Sequence, residues 1–469
     1  MRTVSPAPLA SSLPSAEDLA LGLFVALAVI AVLVVVMRRR DDALPLLAIF
    51  ALPFRLPISS GGRTVNLLIP LYLVVAAGTI VYLLPRWLEW WRGRGSADAP
   101  SSPPVGPPGE TSGGARRWAS PAGVQWLLIA TIVLYALQAT YSTDHAKAAE
   151  NLLFFYIPFL LLFLLLRQVP WTRALLLRCL GVAVALAVIF AGLGFIEYHR
   201  KTLFLNPKVV AANEYDNYFR VNSLFFDPNI YGRFLALVMI CVTTVMLWTR
   251  RRREIVTAAT ILAWLLGGLI TSFSQSSIAA LLLGLAIVAA WRWDVRSTIY
   301  AAIGLLALGG ALVLLAPASL HFGLKGSSGS TSNATSGRTK LISGGLDLFA
   351  ERPIEGYGSG SFETEYKRHQ NASSENATSA SHTIPVTVAA EQGLVGLALY
   401  VALLVVSFLV LFTDAGRSPP RIALAACFAA LVLHTWAYAD FLEDPFTWAL
   451  LGIGVALAGE SGPRRTSSV

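Results

Sequence analysis

The chain has 469 residues, 55% of them hydrophobic and only 13% charged, with a mean hydropathy of +0.63. That balance excludes a water-soluble globular protein, whose surface would need far more charge at this length. A net charge of +9 invites a nucleic-acid reading, but the arginines cluster beside apolar runs, at 38–40, 250–253, 292, 296, 464 and 465, as in a multi-span membrane protein, so no nucleic-acid partner is expected.

A bilayer crossing takes roughly 20 apolar residues in a helix. Backbone groups in lipid must be satisfied internally, and the runs here are continuous instead of alternating, so helices are expected and a barrel is not. Residues 1–18 are Pro/Ser-rich. The first run, 19–37, is followed by its charges, which marks a span and not a signal peptide. Residues 43–57 are apolar but short and broken by prolines; they span poorly or re-enter. A span is expected at 65–84. The stretch 85–120 carries Trp87, Trp90, Trp91, five arginines and a Pro/Gly/Ser-rich tract, and reads as a flexible cytoplasmic linker. Further spans fall near 122–140, 151–166, 175–196, 228–248, 255–273, 276–291, 298–316, 384–412, 421–437 and 446–459. The expected fold is an all-α polytopic membrane bundle of about 12–13 spans. It divides into N-terminal spans with linker (1–121), a membrane core (122–459) and a cytoplasmic tail (460–469).

Placing 38–40 inside makes the loops at 85–120, 167–174, 250–254, 292–297 and 413–421 cytoplasmic, and each is Arg-rich. The same alternation puts 141–150, 197–227, 317–383 and 438–445 outside. The large loop 317–383 carries six Lys/Arg and six Asp/Glu, without the positive excess of a retained loop. No fixed-period repeat and no inverted pair of broken helices is evident, which argues against a secondary transporter. Cys179, Cys241 and Cys427 lie in separate apolar runs and read as small buried hydrophobes.

Three outer segments hold the candidate chemistry. In the first, Arg220 precedes a span, Asp227-Pro228-Asn229 forms a turn and helix start, and Arg233 falls about one turn inside the apolar run. A charge there costs on the order of 2.5–3.5 kcal/mol, so Arg233 either faces a polar cavity or snorkels to the headgroups. Asp227 is a helix cap or a binding group. In the second, Leu341, Leu346, Leu348 and Phe349 suit a short amphipathic helix ended by Pro353. Arg338 and Lys340 sit at its expected start, where amides and cations can converge on an anion or simply stay solvated. In the third, His382 and Thr383 open the run that contains Glu391. An imidazole there can orient or deprotonate a hydroxyl, or be an ordinary helix-end residue. Asp440, Glu443 and Asp444 form a small acidic cluster with no matching histidine, and no metal is assigned to it.

RVNSLFFDPNIYG, GRTKLISGGLDLFAERPIEGYGSGSF and SHTIPVTVAAEQGLVGLALY, in that order over roughly 151–457, resemble the motifs of the O-antigen ligase and polymerase superfamily. One departure is Ser274-Gln275-Ser276, where the family often has Ser-Arg; another is Thr383, where it often has Asn. The resemblance implies transfer of a glycan from a polyprenyl-diphosphate carrier to an acceptor hydroxyl on a glycan, lipid or protein, at the outer face of the cytoplasmic membrane. It implies Arg220 and Arg338 on the diphosphate and His382 as general base or orienter. Arg233, Lys340, Asp227 and Asn229 are further candidates for substrate binding. No Asp-x-Asp motif for a nucleotide-sugar metal occurs, so an inverting, metal-free reaction without cofactor is expected. A polymerase of the same family, or a transporter or flippase of a lipid-linked or anionic solute, is the alternative.

Overall fold

The structure is a computed structural model describing residues 16–60, 63–93, 120–205, 219–294, 296–297, 330–370, 383–438 and 440–460. Among the described residues it is a helical bundle with one β-hairpin. The helices are α1 (Ala16–Arg39), α2 (Ala43–Ala51), α3 (Ile69–Gly78), α4 (Leu84–Gly93), α5 (Pro121–Ala139), α6 (His145–Asn151), α7 (Ile157–Arg167) and α8 (Arg173–Arg200). They continue as α9 (Pro228–Trp248), α10 (Arg252–Thr271), α11 (Gln275–Arg292), α12 (Ser330–Glu351), α13 (Phe362–Gln370), α14 (Ile384–Phe412), α15 (Pro419–Ala437) and α16 (Pro445–Glu460). Single π-turns, Thr79–Leu83 and Leu152–Tyr156, join α3 to α4 and α6 to α7, giving two continuous rods.

Among the described residues, ten helices are long and apolar enough to cross a membrane, and Pro445–Gly459 is a shorter apolar helix. The protein is therefore a multi-pass membrane protein. The expected span at 298–316 lies outside the described residues. The Pro-broken run at 43–57 gives only the nine-residue α2, followed by strands β1 (Leu56–Ser60) and β2 (Arg63–Leu67), which pair antiparallel. The expected start of the next span at 65 is thus corrected to Ile69, because Val65 to Leu67 belong to β2.

Burial orders the bundle. Within their most apolar stretches, α9 and α15 have 72% and 78% of residues buried, against 6% for α1, so the first pair forms the centre and α1 lies at the rim. Leu68, Phe159, Phe163, Trp448 and Phe428 anchor one core, and Phe190, Phe225, Tyr231 and Phe234 the other. Cys241 and Cys427 meet between α9 and α15 with Sγ atoms 3.6 Å apart and unbonded.

The ends segregate as the loop alternation predicts. Arg178 pairs with Asp42 at 2.7 Å, Arg86 reaches Gln168, Arg292 Nε donates to the Leu247 carbonyl and Trp291 packs on Phe412, so the Arg-rich turns share one end. The turns at 140–144, 219–227, 272–274, 352–361 and 438–444 meet at the other.

That second end contains a broken helix. Gly393, at φ +64° and ψ −162°, interrupts α14 nine residues after its start. Non-helical backbone at membrane depth is tolerated only where its polar groups find protein partners. Here Tyr357 N–H donates to the Ala390 carbonyl (3.2 Å), Gly358 N–H to that of Glu391 (2.8 Å) and Gln138 Nε2 to that of Gln392 (3.2 Å). In return, Leu394 N–H donates to the Pro353 carbonyl at 2.7 Å.

Candidate active site

The loop that carries Arg220 is held by one carboxylate. Glu197, in the last turn of α8 and fully buried, accepts N–H groups from Phe204 (3.0 Å), Asn222 (3.2 Å) and Ser223 (2.7 Å). Three donors on one buried anion offset its desolvation. They also hold Ser223 at φ +51°. Val221 N–H reaches the Thr271 carbonyl at 3.2 Å, tying the loop to α10. Half-buried Arg220 then lies over the α10–α11 turn, with Nε donating to the Ser272 carbonyl (3.2 Å) and Nη2 to Asn229 Oδ1 (3.3 Å).

Asn229 stands at the start of α9, where Asp227 caps the helix by accepting its N–H at 2.6 Å and Pro228 occupies the first turn. Asp227 also bonds the Tyr438 hydroxyl, whose pKa is raised far above its ordinary value, first by burial and then by the nearby carboxylates of Asp227 and Asp440. The same Asn229 Oδ1 accepts from Ser274 Oγ at 2.9 Å, and Ser274 caps α11. Ser276 and Ser277 bond His434 Nε2 at 3.2 and 3.1 Å. The Ser-Gln-Ser departure therefore forms a hydroxyl chain behind Arg220, with Gln275 exposed in front of it. Sequence reasoning missed this chain, because only folding brings His434 to the serines.

Arg233 neither snorkels nor faces an opening, which corrects both expectations for it. α9 is enclosed along its length, and the guanidinium is 1% exposed, 2.8 Å from Asp444, itself 0% exposed. The pair is close but badly aligned for a hydrogen bond, and Nε and Nη1 meet no acceptor among the described residues. Asp444 Oδ1 accepts Phe446 N–H at 3.0 Å, so the pair ties the middle of the bundle to the 440–444 turn. Burial pushes the Asp444 carboxyl up, against the pull of Arg233 and Arg55.

The Gly-rich motif and the Glu-Gln-Gly motif form one knot. Glu391 accepts Gly360 N–H at 2.8 Å and Phe362 N–H at 3.1 Å. Gly356, Gly358, Gly360 and Gly393 all have positive φ, and added β-carbons would overlap backbone at Glu391, Ser142 and Ile354 for Gly356, Gly358 and Gly393. Ser142 Oγ donates to the Ser359 carbonyl at 2.8 Å and Ser359 Oγ to that of Tyr135 at 3.0 Å.

The expected helix start at Arg338 is also corrected. α12 begins at Ser330, so Arg338 and Lys340 lie more than two turns inside it, where backbone N–H groups already have helical partners. Leu341 and Leu348 are buried against Ala390 and Phe362, while Lys340 is exposed. The side chain of Arg338 and the whole of His382 lie outside the described residues. Thr383, next to His382 in sequence, takes the N-cap position of α14 in extended conformation.

Beside that start lies a cavity of about 70 Å³. Its polar lining includes Lys147, Asn151, Tyr156, Asp440, Glu443 and Glu391. Asn151 Nδ2 donates to Tyr135 Oη (2.8 Å) and Glu443 Oε1 (3.0 Å), and Lys147 pairs with Glu150 at 2.8 Å. Burial, and then the Asp440 carboxylate, push Glu443 up to about 8, against the pull of Lys147. Lys147 and Asn151 were not anticipated; a charged α6 beside an apolar run was the available signal.

A polytopic helical protein with most of its buried polar groups gathered at one end, and arginine-rich turns at the other, is the class that this fold and site define. Residues 260–401 match the family model described as O-antigen ligase. The matched stretch contains Arg338, Lys340 and His382, while Arg220, Asp227, Asn229 and Arg233 precede it. No curated protein matches the chain.

Proposed function

We propose that this protein transfers a glycan from a polyprenyl diphosphate to an acceptor hydroxyl at the outer face of the cytoplasmic membrane, with its C-terminus cytoplasmic. The carrying observation is the anchored Arg220. It is fixed by Ser272 and Asn229 at the same end of the bundle as the start of α14, inside a chain whose residues 260–401 match the O-antigen ligase model. The N-terminal turns of α12 run toward the same place. Gly345 touches Val386 and the Ile354 carbonyl touches Gly393, so α12 runs parallel to the start of α14. Seven residues of helix, about 10 Å, carry the backbone from Gly345 back to Arg338, beyond the level of Thr383.

In this reading Arg220 and Arg338 neutralise the diphosphate, which guanidinium forks suit, and Asn229 and Asp227 hold Arg220 in place. Lys340 adds positive charge nearby, and Arg233 acts through Asp444 on the 440–444 turn. His382 takes or orients the acceptor hydroxyl proton. The acceptor oxygen bonds to the sugar C1 as the C1–O bond to the diphosphate breaks, and the diphosphate leaves with the electron pair. Attack opposite the leaving group inverts C1, and no metal is required. Residues 122–459 form the catalytic core.

The test is transfer by purified protein from a polyprenyl-diphosphate glycan, with and without chelator. His382→Ala should abolish transfer while the protein still inserts; wild-type transfer by that variant removes the histidine from the mechanism. A single addition marks a ligase and a ladder of products a polymerase. Uptake of the lipid-linked glycan into vesicles without any transfer would favour the flippase alternative.

A further inference from the structure

His434, in the last turn of α15, has no part in the transfer reading above, yet it is fully buried in the wall behind Arg220. Its Nε2 lies 3.2 Å from Ser276 Oγ and 3.1 Å from Ser277 Oγ, and the Asn229 carbonyl lies against the same ring. Nδ1 meets no hydrogen-bond partner among the described residues. The hydrogen bonds of this imidazole therefore run through one nitrogen, toward the start of α11 and the Asn229 turn.

Counting hydrogens gives these contacts a direction. Asn229 Oδ1 accepts from Arg220 Nη2 at 3.3 Å and from Ser274 Oγ at 2.9 Å. A serine has one hydroxyl hydrogen, so Ser274 gives its own to Asn229 and can only accept from Ser277. An oxygen–oxygen contact of 2.7 Å needs a hydrogen between the atoms, and here Ser277 supplies it. Ser277 then has none for His434, so the hydrogen at the 3.1 Å contact belongs to Nε2. The Asn229 carbonyl, which only accepts, suits the same hydrogen. The chain is thus one-way, from Nε2–H to Ser277, to Ser274, to Asn229 Oδ1, and each hydroxyl polarises the next. Reversed, Ser274 would present a lone pair to Asn229. The amide would then turn its NH2 there instead of the oxygen that holds Arg220.

We infer that His434 is a positioning residue for Arg220: its Nε2–H sets the direction of the Ser277–Ser274 chain and so keeps the Asn229 oxygen on the guanidinium. The hold on Arg220 stands on these contacts alone; its consequence for a diphosphate rests on the transfer reading above. One imidazole on α15 thereby controls a side chain presented by the loop before α9, through the N-terminal turn of α11.

The experiment uses the full chain in nanodiscs. His434→Phe keeps a ring without the donor, His434→Gln restores an N–H, and Ser277→Ala cuts the chain one link further on. Phenylglyoxal modification, followed arginine by arginine in the mass spectrometer, reads the hold. Arg220 should react about fivefold faster in His434→Phe and in Ser277→Ala, the loss of one net hydrogen bond, and near the wild-type rate in His434→Gln. Buried Arg233 should stay unreactive throughout, which separates a released Arg220 from a loosened bundle. Ser277→Ala decides the matter should His434→Phe fail to fold. Farnesyl diphosphate is the second probe, and its affinity should fall about fivefold in His434→Phe and recover in His434→Gln. Unchanged Arg220 rates in the folded variants overturn the inference, as does a bare Nε2 on His434 in nitrogen-15 spectra of histidine-labelled protein. Arg220 released as expected, with no farnesyl diphosphate binding to the wild type, supports the positioning role and sinks the diphosphate reading of Arg220 instead.

Discussion

Two buried carboxylates do similar work at the two sides of this site, and their differences separate scaffold from ligand contact. Glu197 gathers three N–H groups of a loop that presents Arg220. Glu391 gathers two N–H groups of a turn in which three glycines at positive φ lie against neighbouring backbone. The first clamp aims a side chain. The second fixes backbone against backbone, and so sets where α14 breaks and how its first turns sit. The family-like Gly-rich and Glu-Gln-Gly segments are thus explained by packing before any substrate is considered.

The largest effect should come from breaking the second clamp. Gly393→Ala places a β-carbon on the Ile354 carbonyl at a φ that L-residues rarely adopt. We expect a loss of more than about 4 kcal/mol, read as failure to give a monodisperse purified protein. Gly181→Ala, with nothing within 4 Å, is the control and should be neutral. A well-folded Gly393→Ala protein would refute the knot.

Next comes the seam between the two sides. Arg233→Met leaves Asp444 charged and buried, and should cost about 3–5 kcal/mol in thermal or denaturant unfolding. Adding Asp444→Asn keeps an acceptor for the Phe446 N–H and removes the stranded charge, so the double variant should recover most of the loss. Additive losses would mean that the pair is not coupled. Exchanging the clamps themselves sharpens the contrast further. Glu391→Gln should cost about 2 kcal/mol of stability, with transfer falling in step with the folded fraction. Glu197→Gln should leave a folded protein whose KM for the lipid-linked donor rises about tenfold, because Arg220 loses its fixed position. Equal effects of the two variants on KM would erase the distinction.

Much of this was legible in the sequence. Apolar runs of span length located the helices, and arginine clusters sorted the turns into two ends, since both follow from the cost of burying polar groups in lipid. Asp227-Pro228 marked a helix start correctly, because capping is local. What failed was non-local or compositional. Pro45, Pro53 and Pro57 warned against a full span, but a hairpin at 56–67 has no strong signature in a run that short. The Ser/Thr/Asn-rich tract concealed the first turns of α12, because its residues have poor helix propensity. Arg233 looked ligand-facing because nothing near it in sequence announces Asp444. Arg220 was singled out from its motif, yet its serine and histidine support came from α11 and α15.

The smallest effect concerns the acidic side and separates it from the arginine side by pH. Asp440 and Glu391 face Glu443 with like charge, Lys147 with opposite charge, and Asn151 donates to it. Burial and the like charges raise its pKa from 4.5 to about 8. The folded state therefore keeps this proton in a window where the unfolded chain has released it. Its stabilising contribution is full below about pH 4.5 and is lost as pH rises to about 8. Thermal unfolding at pH 5, 6.5 and 8 should show the wild type losing Tm across that range. Glu443→Gln, which cannot ionise, should show a shallower fall. The Arg220 side carries guanidiniums that stay charged throughout, so farnesyl diphosphate binding should change little between pH 6.5 and 8. Parallel pH profiles for the wild type and Glu443→Gln would remove the raised carboxyl, and with it the electrostatic contrast between the two sides.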